Sequence, residues 1–199
     1  MRPIALLPII LLIPLAVQGN DIRPLNPILN DNDLQGWKVP GGNDKVGWYT
    51  VKDGVLSLKS GPKKKGSVLW TEKDYKNFFV ECEFRFGEGT IDSGIHVRNK
   101  DQIQIGISGS LKRDMTASPY IPGKGYPVEA KNIKKLLKAK DWNHLRIQAV
   151  GKKYTVWLQG EQVMTYESAS AIEKGPIGIQ LHGNRNMSID FRGIKVAEL

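Results

Sequence analysis

The sequence predicts an all-β protein in which two antiparallel sheets pack face to face, and three observations support this fold class. Short segments of alternating apolar and polar residues recur between Gly, Asn and Asp turns. Two pairs of these segments are separated by two-residue turn signals, a pattern typical of β-hairpins. Helical periodicity is almost absent. About ten strands at this spacing favour a β-sandwich.

The clearest strand covers residues 78–86, where apolar and charged side chains alternate. Cys82 and Phe84 fall on one face of this strand, and Glu81 and Glu83 fall on the other. Cys82 is the single cysteine of the chain, so no intramolecular disulfide can form. We therefore expect Cys82 to be a small core residue.

The other strands are placed by turn signals. Asp53-Gly54 joins residues 48–51 to 55–58, and Gly151-Lys152 joins residues 145–150 to 154–158. Further strands are predicted at residues 94–98, 102–108, 162–165, 176–182 and 188–196. Residues 109–141 interrupt this pattern as a long loop with a short helix near residues 132–138. Because long loops in compact domains are usually functional, we expect this one to cover a sheet as a lid.

The first residues predict export of the chain. Residues 1–18 carry one charge, Arg2, followed by an apolar run and by the small residue Ala16 near a cleavage position. The alternative is a membrane anchor, but residues 4–17 are short for a spanning helix and contain two prolines. We interpret residues 1–18 as a signal peptide and residues 19–199 as one domain of a secreted or periplasmic protein. No later stretch is apolar enough to span a bilayer.

The chain is basic, with a formal net charge of +9 and lysine clusters at residues 63–65 and 131–140. Such a charge is compatible with nucleic-acid binding. However, the clusters contain no aromatic residues that would stack on bases, and an exported protein rarely meets nucleic acid. We therefore expect no nucleic-acid partner, and an acidic polysaccharide or an anionic cell surface remains an alternative.

Several predicted strands carry unusual polar residues opposite their apolar face. Residues two apart in a strand point the same way, so His96 and Arg98 should share one face of residues 94–98. The other strands place further polar side chains outward: Gln102, Gln104, Gln180, His182, Asp190 and Arg192. Gly106 and Gly178 lie between them and would let a ligand approach the backbone. If these strands are neighbours, their polar faces form one concave surface.

Such a surface suits sugars, because amide and guanidinium groups bind paired hydroxyls while aromatic rings cover the apolar sugar face. The aromatic candidates are Trp37, Trp48, Trp142, Tyr120 and Tyr126. Trp37 and Trp142 fit a core position equally well. The acids expected to enter the site are Asp92 and Glu129, the latter from the long loop.

An ordered set of short motifs resembles a large bacterial family, the 3-keto-disaccharide hydrolases. Residues 29–37 (LNDNDLQGW) resemble its LFDGKTLDGW opening, and residues 92–98 (DSGIHVR) resemble NSGIFLR. Residues 141–143 (DWN) resemble EWN, and residues 157–160 (WLQG) resemble WLNG. Residues 175–182 and 191–194 (GPIGIQLH and FRGI) resemble GPIGLQ-H and FRNI. The resemblance implies a concanavalin A-like jelly roll, in agreement with the strand count.

The resemblance also implies a reaction, that of 3-keto-glucoside 1,2-lyases and 3-keto-2-hydroxy-glucal hydratases. A ketone at C3 acidifies the C2 hydrogen, a base removes that proton, and the substituent at C1 leaves. The base would be His182 or His96, and Arg98 would hold the oxyanion with Gln104 or Gln180. Asp92 and Arg192 would join Gln104 and Gln180 in binding the substrate. No cofactor is identified, and the sequence leaves a divalent metal open because no ligand spacing demands one.

The chain departs from the family at one strand. Where the family often has YEVQILD, this chain has DQIQIGIS at residues 101–108, so Gln102 replaces the Glu and the Asp has no counterpart. If that Glu is a base or a metal ligand, the activity is altered or absent. The same lack of paired acids argues against ordinary glycoside hydrolysis. The alternatives are a carbohydrate-binding module that uses the same concave face without chemistry, and a scaffold or cell-surface adhesion domain.

Overall fold

Two antiparallel sheets face each other in the computed structural model, which describes residues 23–39, 47–98 and 100–199. The fourteen strands within these ranges confirm the predicted all-β sandwich of two antiparallel sheets. The predicted signal peptide, residues 1–18, lies outside the described residues. Among the described residues, no helix combines the length and apolar character needed to cross a bilayer.

Eight strands form the larger sheet, in which β12, β11, β10, β6, β14, β4 and β3 are neighbours in that order and β1 pairs with β14. Their bounds are β1 Asn26–Pro27, β3 Tyr49–Lys52, β4 Val55–Lys59, β6 Phe78–Gly89, β10 Asn143–Val150, β11 Lys153–Leu158, β12 Glu161–Glu167 and β14 Met187–Glu198. The two predicted hairpins are the β3–β4 and β10–β11 pairs. The long strand β6 pairs with both β10 and β14 and so occupies the centre of this sheet.

Six strands form the smaller sheet, in the order β2, β5, β13, β7, β8 and β9. Their bounds are β2 Trp37–Lys38, β5 Ser67–Tyr75, β7 Asp92–Val97, β8 Asp101–Gly106, β9 Pro119–Tyr120 and β13 Gly175–Leu181. The strands that carry the predicted polar faces, β7, β8 and β13, are therefore direct neighbours.

The core fills the space between the sheets with the apolar side of each alternating strand. Four of these core residues are at most 2% exposed: Cys82, Phe84, Ile105 and Leu181. Burial, reinforced by the charges of the adjacent glutamates, raises the pKa of the Cys82 thiol to about 12, so this cysteine stays neutral and unreactive. This confirms its predicted place in the core.

The ten predicted strands are all present, and the prediction missed β5 and three two-residue strands. β5 lacks a clean polar face, because Val68 and Trp70 project from the surface of the smaller sheet while Leu69 enters the core. The predicted helix near residues 132–138 is the single turn α1, Ile133–Leu136. The rest of the long loop, residues 109–141, contributes β9 and packs beside β8.

Candidate functional site

The polar faces of β7, β8 and β13 form the floor of a cavity of about 560 Å³. Gly94 of β7 pairs with Gln104 on one side and with Gln180 on the other, so both glutamines project from the same face of the sheet. A side chain at Gly94 would collide with that of Gln102, at 2.2 Å from its Nε2 atom, so the glycine gives Gln102 its room on the floor. The volume is within the range of small-molecule sites.

The walls of the cavity come from the long loop and from the turn between β13 and β14. The residues that line the whole cavity are Asp92, Gln102, Gln104, Ser108, Gly109, Ser110, Lys112, Tyr120, Tyr126, Gln180, His182, Gly183, Asn184 and Arg185. Tyr120 and Tyr126 approach edge to face, with ring centroids 5.3 Å apart. Burial raises the pKa of the Tyr126 phenol, so its hydroxyl stays neutral and able to donate a hydrogen bond.

A buried carboxylate sets the direction of the amide groups on the floor. Asp92 is 2% exposed, and its Oδ1 accepts a hydrogen bond from Gln104 Nε2 at 2.9 Å. Because a carboxylate accepts hydrogen bonds, Gln104 turns its Oε1 away, towards Gln102 Nε2 at 3.2 Å. Gln102 Nε2 also donates to Gln180 Oε1 at 3.0 Å. This chain of bonds leaves Gln180 Nε2 without a partner among the described residues, as a donor available to a ligand.

His182 lies at the mouth of this network with one nitrogen fixed. Its Nδ1 is 2.6 Å from the carbonyl oxygen of Gly183. A carbonyl can only accept, so Nδ1 carries the hydrogen and Nε2 is the atom able to take a proton. His182 Nε2 lies 3.9 Å from Asp92 Oδ2, and the imidazole is 41% exposed while the carboxylate is 3% exposed. The arrangement places an imidazole nitrogen without a bound hydrogen at the cavity, with a buried carboxylate beside it.

Arg185 is a cavity residue that sequence reasoning missed. Its Nε and Nη2 both lie 3.4 Å from Asp92 Oδ2. A side chain at Gly109 would come within 2.8 Å of Arg185 Nη2, so that glycine leaves space for the pair. Strand alternation does not reach Arg185, because this residue follows β13 in a turn. Its position three residues after His182 was the available signal.

The structure does not bring Arg98 into the cavity, contrary to the expected shared face with His96. β7 ends at Val97, and Arg98 has a left-handed backbone with φ of +53°, so strand alternation no longer fixes its direction. Its buried guanidinium donates from Nη1 to the carbonyl oxygens of Gly151 at 2.6 Å and Ile172 at 3.2 Å. Arg98 therefore ties the end of β7 to the β10–β11 turn.

Arg192 also lies away from the cavity, on the outer face of the larger sheet. It projects from β14, and its Nε donates to Glu83 Oε2 at 2.7 Å. Its guanidinium carbon is 4.1 Å from the ring centroid of Trp142. The strand face was predicted correctly, but the two sheets of a sandwich have opposite outer faces. Which sheet β14 joins depends on long-range pairing that alternation does not encode.

His96 shares the sheet face of the cavity but not its lining. It pairs with Gly178, and its ring centroid is 5.1 Å from that of Trp70, which covers it. Neither imidazole nitrogen has a hydrogen-bond partner among the described residues. Burial lowers the pKa of His96 to about 4, and the nearby Lys100 backbone and Asp101 charge do not offset this effect. The geometry gives His96 a neutral packing role.

Other sequence-predicted features also have structural uses. A side chain at Gly178 would lie 2.5 Å from the Trp70 ring, and one at Gly106 would lie 2.4 Å from the Ile91 carbonyl oxygen. Both glycines therefore serve packing, not ligand approach. Trp37 and Trp48 are core residues. Glu129 forms an ion pair with Arg113 and does not line the cavity.

The described residues contain no group of three or more His, Cys, Asp or Glu side chains placed to hold a metal ion. Asp92 is the single acid among the described residues that line the cavity, and its oxygens already contact Gln104 and Arg185. This donor set does not fit a divalent metal, which prefers several oxygen or nitrogen ligands.

Comparisons with known proteins agree with this fold. The family described as the 3-keto-alpha-glucoside-1,2-lyase-like domain matches residues 24–197. No curated protein sequence matches the chain.

Three solved structures illustrate the fold. A protein named as a candidate glycosyl hydrolase from Parabacteroides distasonis is 23% identical, with a TM-score of 0.63 over 88% of this chain and 100% of that one. The carbohydrate-binding module CBM66 from Bacillus subtilis is 12% identical, with a TM-score of 0.53 over 82% of this chain and 96% of that one. A Bacillus subtilis protein with a galectin-like fold is 13% identical, with a TM-score of 0.53 over 88% and 94% of the two chains. These neighbours support the predicted jelly-roll architecture.

Proposed function

We propose, because the chain belongs to the 3-keto-alpha-glucoside-1,2-lyase-like domain family, that it cleaves 3-keto-glycosides outside the cytoplasm. Family membership makes a carbohydrate-related function the starting point. The cavity adds the groups that such chemistry needs, namely a base, donors for a developing oxyanion, and polar and aromatic surfaces for a sugar ring. Export after removal of residues 1–18 is part of this proposal.

The observation that carries the proposal is the placement of His182 beside Asp92. With the hydrogen of Nδ1 bound to Gly183, Nε2 is the atom that accepts the C2 proton. The imidazole gains a positive charge in this step, and the Asp92 carboxylate, with an oxygen 3.9 Å from Nε2, stabilises it. His182 is therefore the base, and His96, buried under Trp70, is not.

The enolate oxygen at C3 requires hydrogen-bond donors that Arg98 does not supply. Gln180 Nε2 is left free by the amide chain, and Arg185 lines the same cavity. Both donors are preorganised: Gln180 Oε1 accepts a hydrogen bond from Gln102 Nε2 at 3.0 Å, and Arg185 Nη2 lies 3.4 Å from Asp92 Oδ2. We assign the oxyanion role to Gln180 and Arg185.

The steps balance as an overall hydrolysis. The C2–H bond breaks and its proton goes to His182 Nε2, while the electron pair moves into the C2–C3 bond and the C3 carbonyl becomes an enolate. Collapse of the enolate expels the C1 substituent, which takes the proton from His182 Nε2 and so restores the neutral imidazole, and leaves a 2-hydroxy-glucal ketone. Water then adds its hydroxyl at C1 and a proton at C2, which gives the free 3-keto sugar.

The second candidate is a carbohydrate-binding module without chemistry, and Gln102 favours it. This residue replaces the Glu of the family pattern and lies on the cavity floor, where its amide bonds two other amides. An amide floor binds sugar hydroxyls well and supplies no acid or base.

Substitution of His182 separates the two candidates. In the enzyme, His182→Ala lowers the rate of aglycone release from a 3-keto-glucoside by about 10²- to 10⁴-fold and leaves sugar binding measurable by calorimetry. The matched control is His144→Ala, because His144 is 40% exposed and lies beside Glu81 on the other sheet. The control should keep full turnover. If the unmodified protein cleaves neither anomer but still binds the sugar, the reaction is refuted and the carbohydrate-binding module is the remaining candidate.

A further inference from the structure

We propose that the mouth of this cavity binds an anionic group, a carboxylate or a sulfate ester, on the part of the glycoside that extends beyond the keto sugar. The inference rests on the proposed function in taking the ligand to be a glycoside. It adds the substrate class: the leaving portion is acidic. Three observations carry it, namely the charge of the cavity lining, the position of a lysine-rich segment beside it, and the backbone conformation of the lysines.

The charge balance of the cavity is positive once its internal pairs are counted. Asp92 is the single acid among the described lining residues, and Arg185 already neutralises it at 3.4 Å. Lys112 also lines the cavity, and it is exposed. Among the described residues, its ammonium group has no ion-pair or hydrogen-bond partner. One cation at the mouth is therefore left for a ligand.

A second source of positive charge adjoins the wall that follows β13. The backbone N–H of Asn184 donates to the carbonyl oxygen of Lys64 at 2.7 Å, so residues 63–66 run against the wall formed by Gly183 and Asn184. A Cβ at Gly66 would lie 2.6 Å from the Gly183 nitrogen, which shows how closely the segments pack. Lys63 and Lys64 are exposed and unpaired within the described part of the chain. The backbone of the lysine run therefore adjoins the cavity wall.

Lys63, Lys64 and Lys112 share an uncommon backbone conformation. Lys63, Lys64 and Lys112 have φ of +57°, +52° and +57°. Residues other than Asn, Asp and Gly adopt this left-handed backbone conformation at a cost of roughly 1 kcal/mol or more. Asn or Gly would adopt this conformation at a lower cost, so the backbone conformation does not account for lysine at these three positions. We call Lys63, Lys64 and Lys112 the rim lysines.

The test compares two glucosides that differ in one group, 4-carboxyphenyl and 4-carbamoylphenyl glucoside, in both anomers. The carboxylate and the carboxamide have nearly the same shape, so a difference in affinity reports charge. Calorimetry at low salt should show tighter binding of the carboxylate, by roughly 1.5- to 5-fold for each rim lysine engaged. The preference should shrink at 0.5 M NaCl, as expected for screened charges. Comparison of 4-(sulfooxy)phenyl glucoside with 4-carboxyphenyl glucoside distinguishes recognition of a sulfate ester from recognition of a carboxylate.

The variant is the triple substitution Lys63→Asn, Lys64→Asn, Lys112→Asn. Asn accepts the left-handed backbone, so the melting temperature should stay equal or rise while the carboxylate preference disappears. The control is Lys134→Gln with Lys135→Gln, which removes two exposed lysines of α1 beside β12 in the other sheet. That control should retain the preference.

Equal affinity for the two glucosides, binding of neither, or a preference that survives the triple substitution would overturn the inference. These glucosides contain no ketone, so the result does not depend on catalysis. Failure of the protein to cleave the corresponding 3-keto compounds refutes the proposed reaction alone. Tighter binding of a single-stranded DNA oligomer than of the carboxylate, lost in the same triple variant, would assign the rim lysines to nucleic acid and also overturn the inference.

Discussion

Substitution of Asp92 by asparagine tests the electrostatic part of the proposed mechanism. Asp92→Asn keeps the size of the side chain and an oxygen for Gln104, but it removes the negative charge beside His182. Two unit charges 4 Å apart interact by about 1 kcal/mol in water and about 4 kcal/mol at the effective dielectric of a protein surface. With Asp92 3% and His182 41% exposed at 3.9 Å, the pair lies between these limits.

That range corresponds to a loss in kcat of roughly fivefold to about 800-fold, with KM changed much less, because the charge on His182 forms only as the proton is taken. Arg185, which shares the same carboxylate oxygen at 3.4 Å, favours the lower half of this range. Aglycone release from a 3-keto-glucoside measures the loss.

A double substitution makes this reasoning refutable. If Asp92 acts through the charge on His182, adding Asp92→Asn to His182→Ala should cause no further loss in kcat. Fully additive losses, or an unchanged kcat in the single variant, would show that the carboxylate acts elsewhere. Urea denaturation of each variant separates this effect from the stability loss of about 1–3 kcal/mol expected when Arg185 loses its partner.

Three further predictions concern single residues. The pKa of His96 is lowered to about 4 from an unfolded value near 6.5, so the unfolded chain binds the proton first as the pH falls. The free energy of unfolding should therefore decrease by up to about 3 kcal/mol between pH 6.5 and pH 4. Urea denaturation of His96→Phe should show that this pH dependence is lost, and an unchanged dependence would contradict the assignment. Arg98→Lys should lower the free energy of unfolding by about 2–3 kcal/mol without changing sugar affinity by calorimetry, and weaker sugar binding would place Arg98 in the site after all. Gln102→Glu should lower stability by about 1–3 kcal/mol, because the new carboxylate would face the Ser93 carbonyl oxygen without a donor; a rise in turnover would instead identify position 102 as the base.

Local patterns were sufficient to predict the fold and the cavity floor. Alternation along β8 and β13 placed Gln102, Gln104 and Gln180 on outward faces, and β7 joins these two strands into one surface. The hairpin turns at Gly54 and Gly151 fixed register in the larger sheet in the same way. In each of these cases the information lies within a few consecutive residues, which is the range over which strand geometry acts.

The misplaced residues show where that range ends. Arg98 follows the last residue of its strand, and one left-handed φ turns its guanidinium from the sheet face to the β10–β11 turn. Arg192 has the predicted outward direction, but β14 pairs with β6 in the larger sheet, so outward there means away from the cavity. Strand pairing joins residues about a hundred positions apart, and no short pattern states it.

The network around Asp92 shows why the donor and acceptor pattern of the cavity could not be predicted from the sequence. Three glutamines were visible in the sequence, but which atom each presents depends on a contact with a carboxylate. Once Gln104 Nε2 faces Asp92, the direction of Gln102 follows, and then that of Gln180. One buried charge thus converts an ambiguous amide surface into a site with a defined donor at Gln180 and a base partner at His182. A carbohydrate-binding surface needs no such polarisation, since amides bind hydroxyls in either direction. The proposed reaction gives the buried Asp92 carboxylate a use, whereas sugar binding alone does not require it.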